Sequence, residues 1–208
     1  MSSNTSSAVA TTSAAAVAIQ YTLTPAEMEQ ANLHLEQTRN GAIGAIQGLS
    51  EAQWRYKPGP GVWSIAENLE HIAFVQERVL NVLRNHLATA PAGPDDRNYQ
   101  LVDAVIINQF PNRLAKFQAP EVIRPQGNCV LSEARERVAA NTRSFAECLE
   151  TIPDLRGHVL ESPPLKAVSK GEHQVMDGYQ FILAASAHTE RHTKQILEVR
   201  ADPNFPAS

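Results

Sequence analysis

The chain has 208 residues, enough for one domain with a sizeable core. Its net charge of −4 and pI near 6.0 come without the basic stripe that nucleic-acid binding uses, so no nucleic-acid partner is expected. No apolar run is long enough to span a bilayer, and the two cysteines, Cys129 and Cys148, are too few for a disulfide framework. No membrane partner and free thiols in a reducing, cytoplasmic compartment are therefore expected.

Residues 1–19, MSSNTSSAVATTSAAAVAI, are low-complexity Ser/Thr/Ala without Lys or Arg. They lack the charged start and unbroken apolar stretch of a signal peptide, and are expected to form a flexible tail ahead of one domain over 20–208. The first helix is expected over about 25–49. Thr24 caps it, Pro25 suits its first position, Glu27 closes a capping box, and Met28, Ala31, Leu35, Ala42, Ile46 and Leu49 recur at helical spacing. Gly41 and Gly44 weaken it. Pro58-Gly59-Pro60-Gly61 makes a tight loop, and Ser64 with Glu67 opens a second helix over about 64–86, with Ile65, Leu69, Ile72, Val75, Val79, Val82 and Leu83 as its apolar stripe. Residues 87–131 are the least regular; the apolar patch 101–107 is read as a short helix. A third long helix is expected over 132–152, then a Pro-rich loop (Pro153, Pro163, Pro164). The last runs over 178–200, capped by Asp177 with Gln180 and with Pro203 beyond its end. Four amphipathic helices and no confident strand predict an all-α, four-helix bundle.

The last helix contains HTERHTKQI, residues 188–196. His188 and His192 are about 40° apart on a helix and one turn apart in rise, so both rings can address one metal ion. Taken alone, such a pair is more often solvated or hydrogen-bonded. Glu190 does not directly follow the first histidine as in HExxH, so a zinc-protease site is excluded. His71, at the edge of the second helix's stripe, is the third candidate ligand. His34, His86, His158 and His173 are weaker ones.

WSIAENLEH, followed far downstream by DGYQFILAASAHTERHTKQI, resembles the DinB-like (YfiT-like) family. The resemblance covers about residues 24–200 and takes in FQAPEVIRPQGN (117–128), which is similar to the family's linker. It implies a four-helix bundle of up-down-down-up topology and a metal site of three histidines, one from the second helix and two from the last. By position these are His71, His188 and His192. A homodimer is compatible with the resemblance.

Three neutral histidines leave a divalent metal, zinc or nickel, with an open position, as in catalytic rather than structural sites. Such an ion can deprotonate a coordinated thiol or lower the pKa of bound water. The expected function is transfer of a low-molecular-weight thiol to a small-molecule electrophile through a metal-bound thiolate. The alternatives are a hydrolase using metal-bound water and a non-catalytic metal-binding or stress-response module. Glu67, one turn before His71, is a candidate acceptor for that ring's other nitrogen, with its capping role in competition. Arg191 and Gln195 flank the site face, with contact to a substrate's polar group as one role and surface solvation as the commoner one; Trp54 and Trp63 are read as packing residues, Cys148 as a small core residue, and Ala184 and Ala185 as leaving room beside the site.

Overall fold

The computed structural model describes residues 22–113 and 121–207. The expected tail at 1–19 and residues 117–120 of the linker stretch lie outside the described residues. The described chain is mostly helical. α1 (Pro25–Ala45) starts as its capping box dictates: the Thr24 hydroxyl accepts the Glu27 N–H at 3.2 Å, and the Glu27 carboxylate accepts the Thr24 N–H at 2.7 Å. It ends at Ala45 rather than 49. The chain turns at Gly48, whose φ of 72° favours a residue without a Cβ, and Ser50 then caps a separate short helix, α2 (Glu51–Arg55), with Gln53 closing its box. Ile46 and Leu49 belong to this turn, yet both still pack into the core.

α3 (Ile65–Asn85) and α7 (Gly178–Arg200) begin at the capping boxes of Ser64 with Glu67 and Asp177 with Gln180. The patch at 101–107 is helical, within α4 (Tyr99–Gln109), and α5 (Leu131–Thr151) is the third long helix. The stretch read as a Pro-rich loop holds β1 (Val159–Glu161), a short α6 (Pro163–Val168) and β2 (Val175–Asp177). The two strands pair antiparallel, with Val159 opposite Asp177. Strands this short offer no room for an alternating pattern to show.

α1 packs on α7 and α5, α3 packs on α5 and α7, and α4 lies against α7. The apolar interior forms two clusters. Leu83, Phe145, Tyr179, Ile182 and Leu183 centre one, and Trp54, Ile65, Leu69, Ile72, Val138 and Ile196 the other. Between them runs a buried polar layer of Thr38, Gln76, Asn141, Thr142, Thr189 and Thr193. Its groups are satisfied partly by one another and partly by main-chain carbonyls. Gln76 Nε2 donates to Thr189 Oγ1 at 3.1 Å and Asn141 Nδ2 to Gln76 Oε1 at 3.3 Å, while the Thr189 and Thr193 hydroxyls donate one turn back, at 2.9 and 2.8 Å. Left unpaired, each would cost about 1–3 kcal/mol. Among the described residues no helix is long and apolar enough to cross a membrane.

Candidate metal centre

The polar layer holds the histidines. His71 comes from α3, and His188 and His192 from successive turns of α7. The helical repeat brings i and i+4 onto one face, and the His188 and His192 ring centroids stand 4.4 Å apart. His71 closes the triangle at 5.0 Å from His188 and 4.7 Å from His192. One possible ligand nitrogen of each ring lies within 4.8 Å of the others. His71 and His192 are buried, and His188 keeps part of its surface exposed.

Two of the rings are oriented from behind. A carbonyl can only accept, so His71 Nδ1, 2.7 Å from the Ile123 oxygen, carries the proton and Nε2 is left bare. Asn68 does the same for His192. Its amide nitrogen donates to the Ser64 carbonyl at 2.8 Å, which leaves Oδ1 to accept from His192 Nδ1 at 3.1 Å. His188 Nδ1 is buried without a hydrogen-bond partner, a cost that an electron-pair acceptor within the cluster would relieve. Burial pushes all three histidines below their usual range, His188 and His192 well below it, and repulsion among the rings and from Arg191 pushes those two the same way; the Ile123 contact opposes the shift at His71. The rings are neutral at neutral pH, the form that ligates metals. A neutral three-imidazole donor set with a bare buried nitrogen fits a divalent cation.

Trp63 does more than pack the loop. Its ring lies 4.8 Å from His71, edge-on, and 5.8 Å from His192, within 20° of parallel, covering two of the three rings. Trp54 is a core residue as expected, its indole N–H donating to the Cys129 carbonyl at 3.1 Å, and Cys148 is buried in the first cluster. Ala184 and Ala185 are packed into that cluster rather than leaving space. Glu67 does not back His71, because its carboxylate accepts the Ser64 N–H at 2.7 Å and pairs with Lys57 at 2.8 Å. Arg191 is buried, not solvated, and donates to the Asn112 carbonyl; Gln195 accepts from Arg113 at 3.0 Å. Glu190 turns away, to Lys194 at 2.7 Å and His34 at 4.0 Å. His158 Nδ1 lies 2.7 Å from the Ala90 carbonyl, and His86 sits at the end of α3 beside Asn81.

Asn68 and Ile123 had no place in the sequence reading. Asn68 left a signal, an amide inside an apolar stripe that needs a partner. A main-chain carbonyl leaves none.

The sequence profile of the DinB superfamily matches residues 34–196, an interval containing all three histidines. No curated protein and no solved structure matches the chain.

Proposed function

The chain belongs to the DinB superfamily, and from that premise we propose that it is a metal-dependent enzyme transferring a low-molecular-weight thiol to an electrophile. The observation that carries the reading is the convergence of three buried-layer histidines, with His71, His188 and His192 offering one nitrogen each to a common point. Zinc or nickel held there would supply a Lewis acid that lowers the pKa of a thiol at an open position.

The chain's own groups do the rest. Ile123 and Asn68 keep His71 and His192 in the tautomer that presents Nε2, so little ordering remains to be done on binding. Trp63 shields both rings from bulk water, which strengthens electrostatic interactions in the site. The positive charge of Arg191 reaches His188 and His192 and favours an anionic sulfur over a neutral thiol. Thiol transfer is preferred to hydrolysis because the neighbouring carboxylates are engaged. Glu67 serves Ser64 and Lys57, Glu70 two main-chain N–H groups, and Glu190 Lys194. A metal lowers the pKa of bound water as well, but hydrolysis gains more from a general base beside it, of which a metal-bound thiolate has less need.

The reading includes a bundle with up-down-down-up order. Contacts between α1 and α7 advance together, from Glu27 with Tyr179 to Ala45 with Arg200. Those between α3 and α7 run oppositely, from Asn68 with His192 to Gln76 with Thr189. Those between α3 and α5 advance together, from Glu77 with Arg137 to Arg84 with Glu147.

Elemental analysis of the purified protein beside His71→Ala tests the metal. A panel of small thiols with generic electrophiles, run alongside esters and amides, tests the reaction. The expected result is a stoichiometric ion lost in His71→Ala, and thiol-dependent turnover lost in His188→Ala with helical circular dichroism retained. Turnover of esters or amides alone assigns hydrolysis instead. An ion whose loss costs only thermal stability, with no turnover in either panel, makes the chain a metal-binding module.

A further inference from the structure

Glu70 adjoins His71 in sequence but does not face the cluster. Consecutive helical side chains diverge by about 100°, and Glu70, only 6% exposed, turns toward the segment 121–128. Its Oε2 accepts the Gln126 N–H at 3.0 Å and the Gly127 N–H at 2.7 Å. A carboxylate is costly to bury unless charge-assisted hydrogen bonds satisfy it, and here both come from the main chain of one loop. Arg55 holds that loop from the other side, donating to the Gly127 carbonyl at 2.6 Å. Gly127 has φ of 74°, the left-handed region that glycine enters freely.

The path from this anchor to His71 is short and stiff. Pro125 is buried and its ring locks φ. Residues Glu121–Ile123 form a 3-10 turn, closed by the Arg124 N–H on the Glu121 carbonyl at 3.1 Å. The turn ends at Ile123, whose carbonyl takes the His71 Nδ1 proton at 2.7 Å. A free histidine side chain in water carries its proton mostly on Nε2, so the Nδ1–H form has to be imposed.

We propose that Glu70 is a positioning residue for the candidate metal centre: by gripping Gln126 and Gly127 it holds the Ile123 carbonyl against His71 and so sets which nitrogen that ring presents. The tautomer is a property of the metal-free chain, and only its consequence for affinity rests on the metal-centre reading above. The function of Glu70 is thus exerted through a main-chain carbonyl, not through contact with the ion or substrate.

The test is a long-range proton–nitrogen correlation spectrum of the full chain labelled at histidine nitrogen, recorded with metal removed, together with zinc affinity by competition with a chromophoric chelator. Wild type should show His71 protonated at Nδ1. In Glu70→Ala the Nε2–H form should grow in, and zinc affinity should fall about 10- to 100-fold, as when an outer partner of a ligating histidine is lost. Glu70→Gln, which keeps an acceptor for the loop, should restore much of both. Arg55→Ala, an exposed change that loosens the same loop, should shift both in the direction of Glu70→Ala by a smaller amount. A folded Glu70→Ala protein with the wild-type His71 spectrum overturns the proposal. If that variant does not fold, the Arg55→Ala spectrum decides: a shifted His71 tautomer supports the proposal and an unchanged one overturns it. A wild type that binds neither zinc nor nickel yet shows the tautomer change in Glu70→Ala refutes the metal reading and leaves the positioning role standing.

Discussion

Asn68 is fully buried, and its amide can lie only one way round. With the nitrogen committed to the Ser64 carbonyl, the oxygen must receive the His192 proton. Asn68→Ala should therefore weaken zinc binding about 10- to 100-fold while the helices persist, read by chelator competition and circular dichroism. Glu190→Ala is the matched control. That carboxylate serves Lys194 and His34 on another side of α7, and its loss should leave zinc affinity unchanged. A drop in both variants would mean that general loosening of the bundle, not ring orientation, governs affinity.

At the scale of elements, the start of α7 is tied into the molecule through charge. Asp177, fully buried, caps α7 and also accepts from Arg97 at 2.9 Å and Arg156 at 3.1 Å. Arg156 reaches on to Glu27 of α1 and Asp103 of α4, each at 2.7 Å, with its guanidinium between the rings of Tyr99 and Tyr179 at 4.5 and 4.2 Å. One side chain thus joins α1, α4 and the first turn of α7. Burial alone would lower the Arg156 pKa, but its bond to Asp103 and the charges of Asp177 and Asp103 outweigh that and raise it. Removing one member of such a buried network strands the others. Arg156→Met should cost about 3–5 kcal/mol, measured as a lower urea midpoint. Glu27→Gln keeps the network's buried aspartates paired and should cost far less. Comparable losses would show that the Glu27 pair, rather than the buried aspartates, carries most of what Arg156 contributes.

For the whole molecule, two buried sets titrate in opposite senses. The three histidines have folded-state pKa values below the ordinary 6.5. As pH falls through that value the unfolded chain takes up more protons, and stability drops on the acid side. Asp177 is the reverse. Burial pushes its carboxyl from 3.8 up to about 6, against the pull of Arg156, the Gln180 N–H and Arg97. The folded chain then binds the proton first, and this group adds stability as pH falls from neutral toward its ordinary value. Urea unfolding of metal-free protein at about pH 7.5 and about pH 5.5 separates them. A variant with all three histidines replaced by Leu should lose less stability on acidification than wild type, and Asp177→Asn should lose more. Identical pH dependence in wild type and the three-histidine variant would contradict this assignment.

What the sequence determined by itself is local. The capping boxes at Thr24, Ser64 and Asp177 close within four residues, and the His188–His192 alignment needs nothing beyond the helical repeat. That His71 joins them was legible through the resemblance rather than through spacing. The early end of α1 was in principle readable at Gly48 and Ser50, but hydrophobic periodicity ran across the break because Ile46 and Leu49 are core residues on either side of it. The tertiary structure alone decided the surroundings of the rings. Glu67 was drawn to its own cap and Lys57, Arg191 was buried beneath Asn112, and Trp63 was laid over two histidines. The His71 tautomer depends on a carbonyl 52 residues along the chain. Every residue carries that same acceptor, so its identity encodes nothing, and only the path of a loop gripped by Glu70 and Arg55 brings this one to the ring.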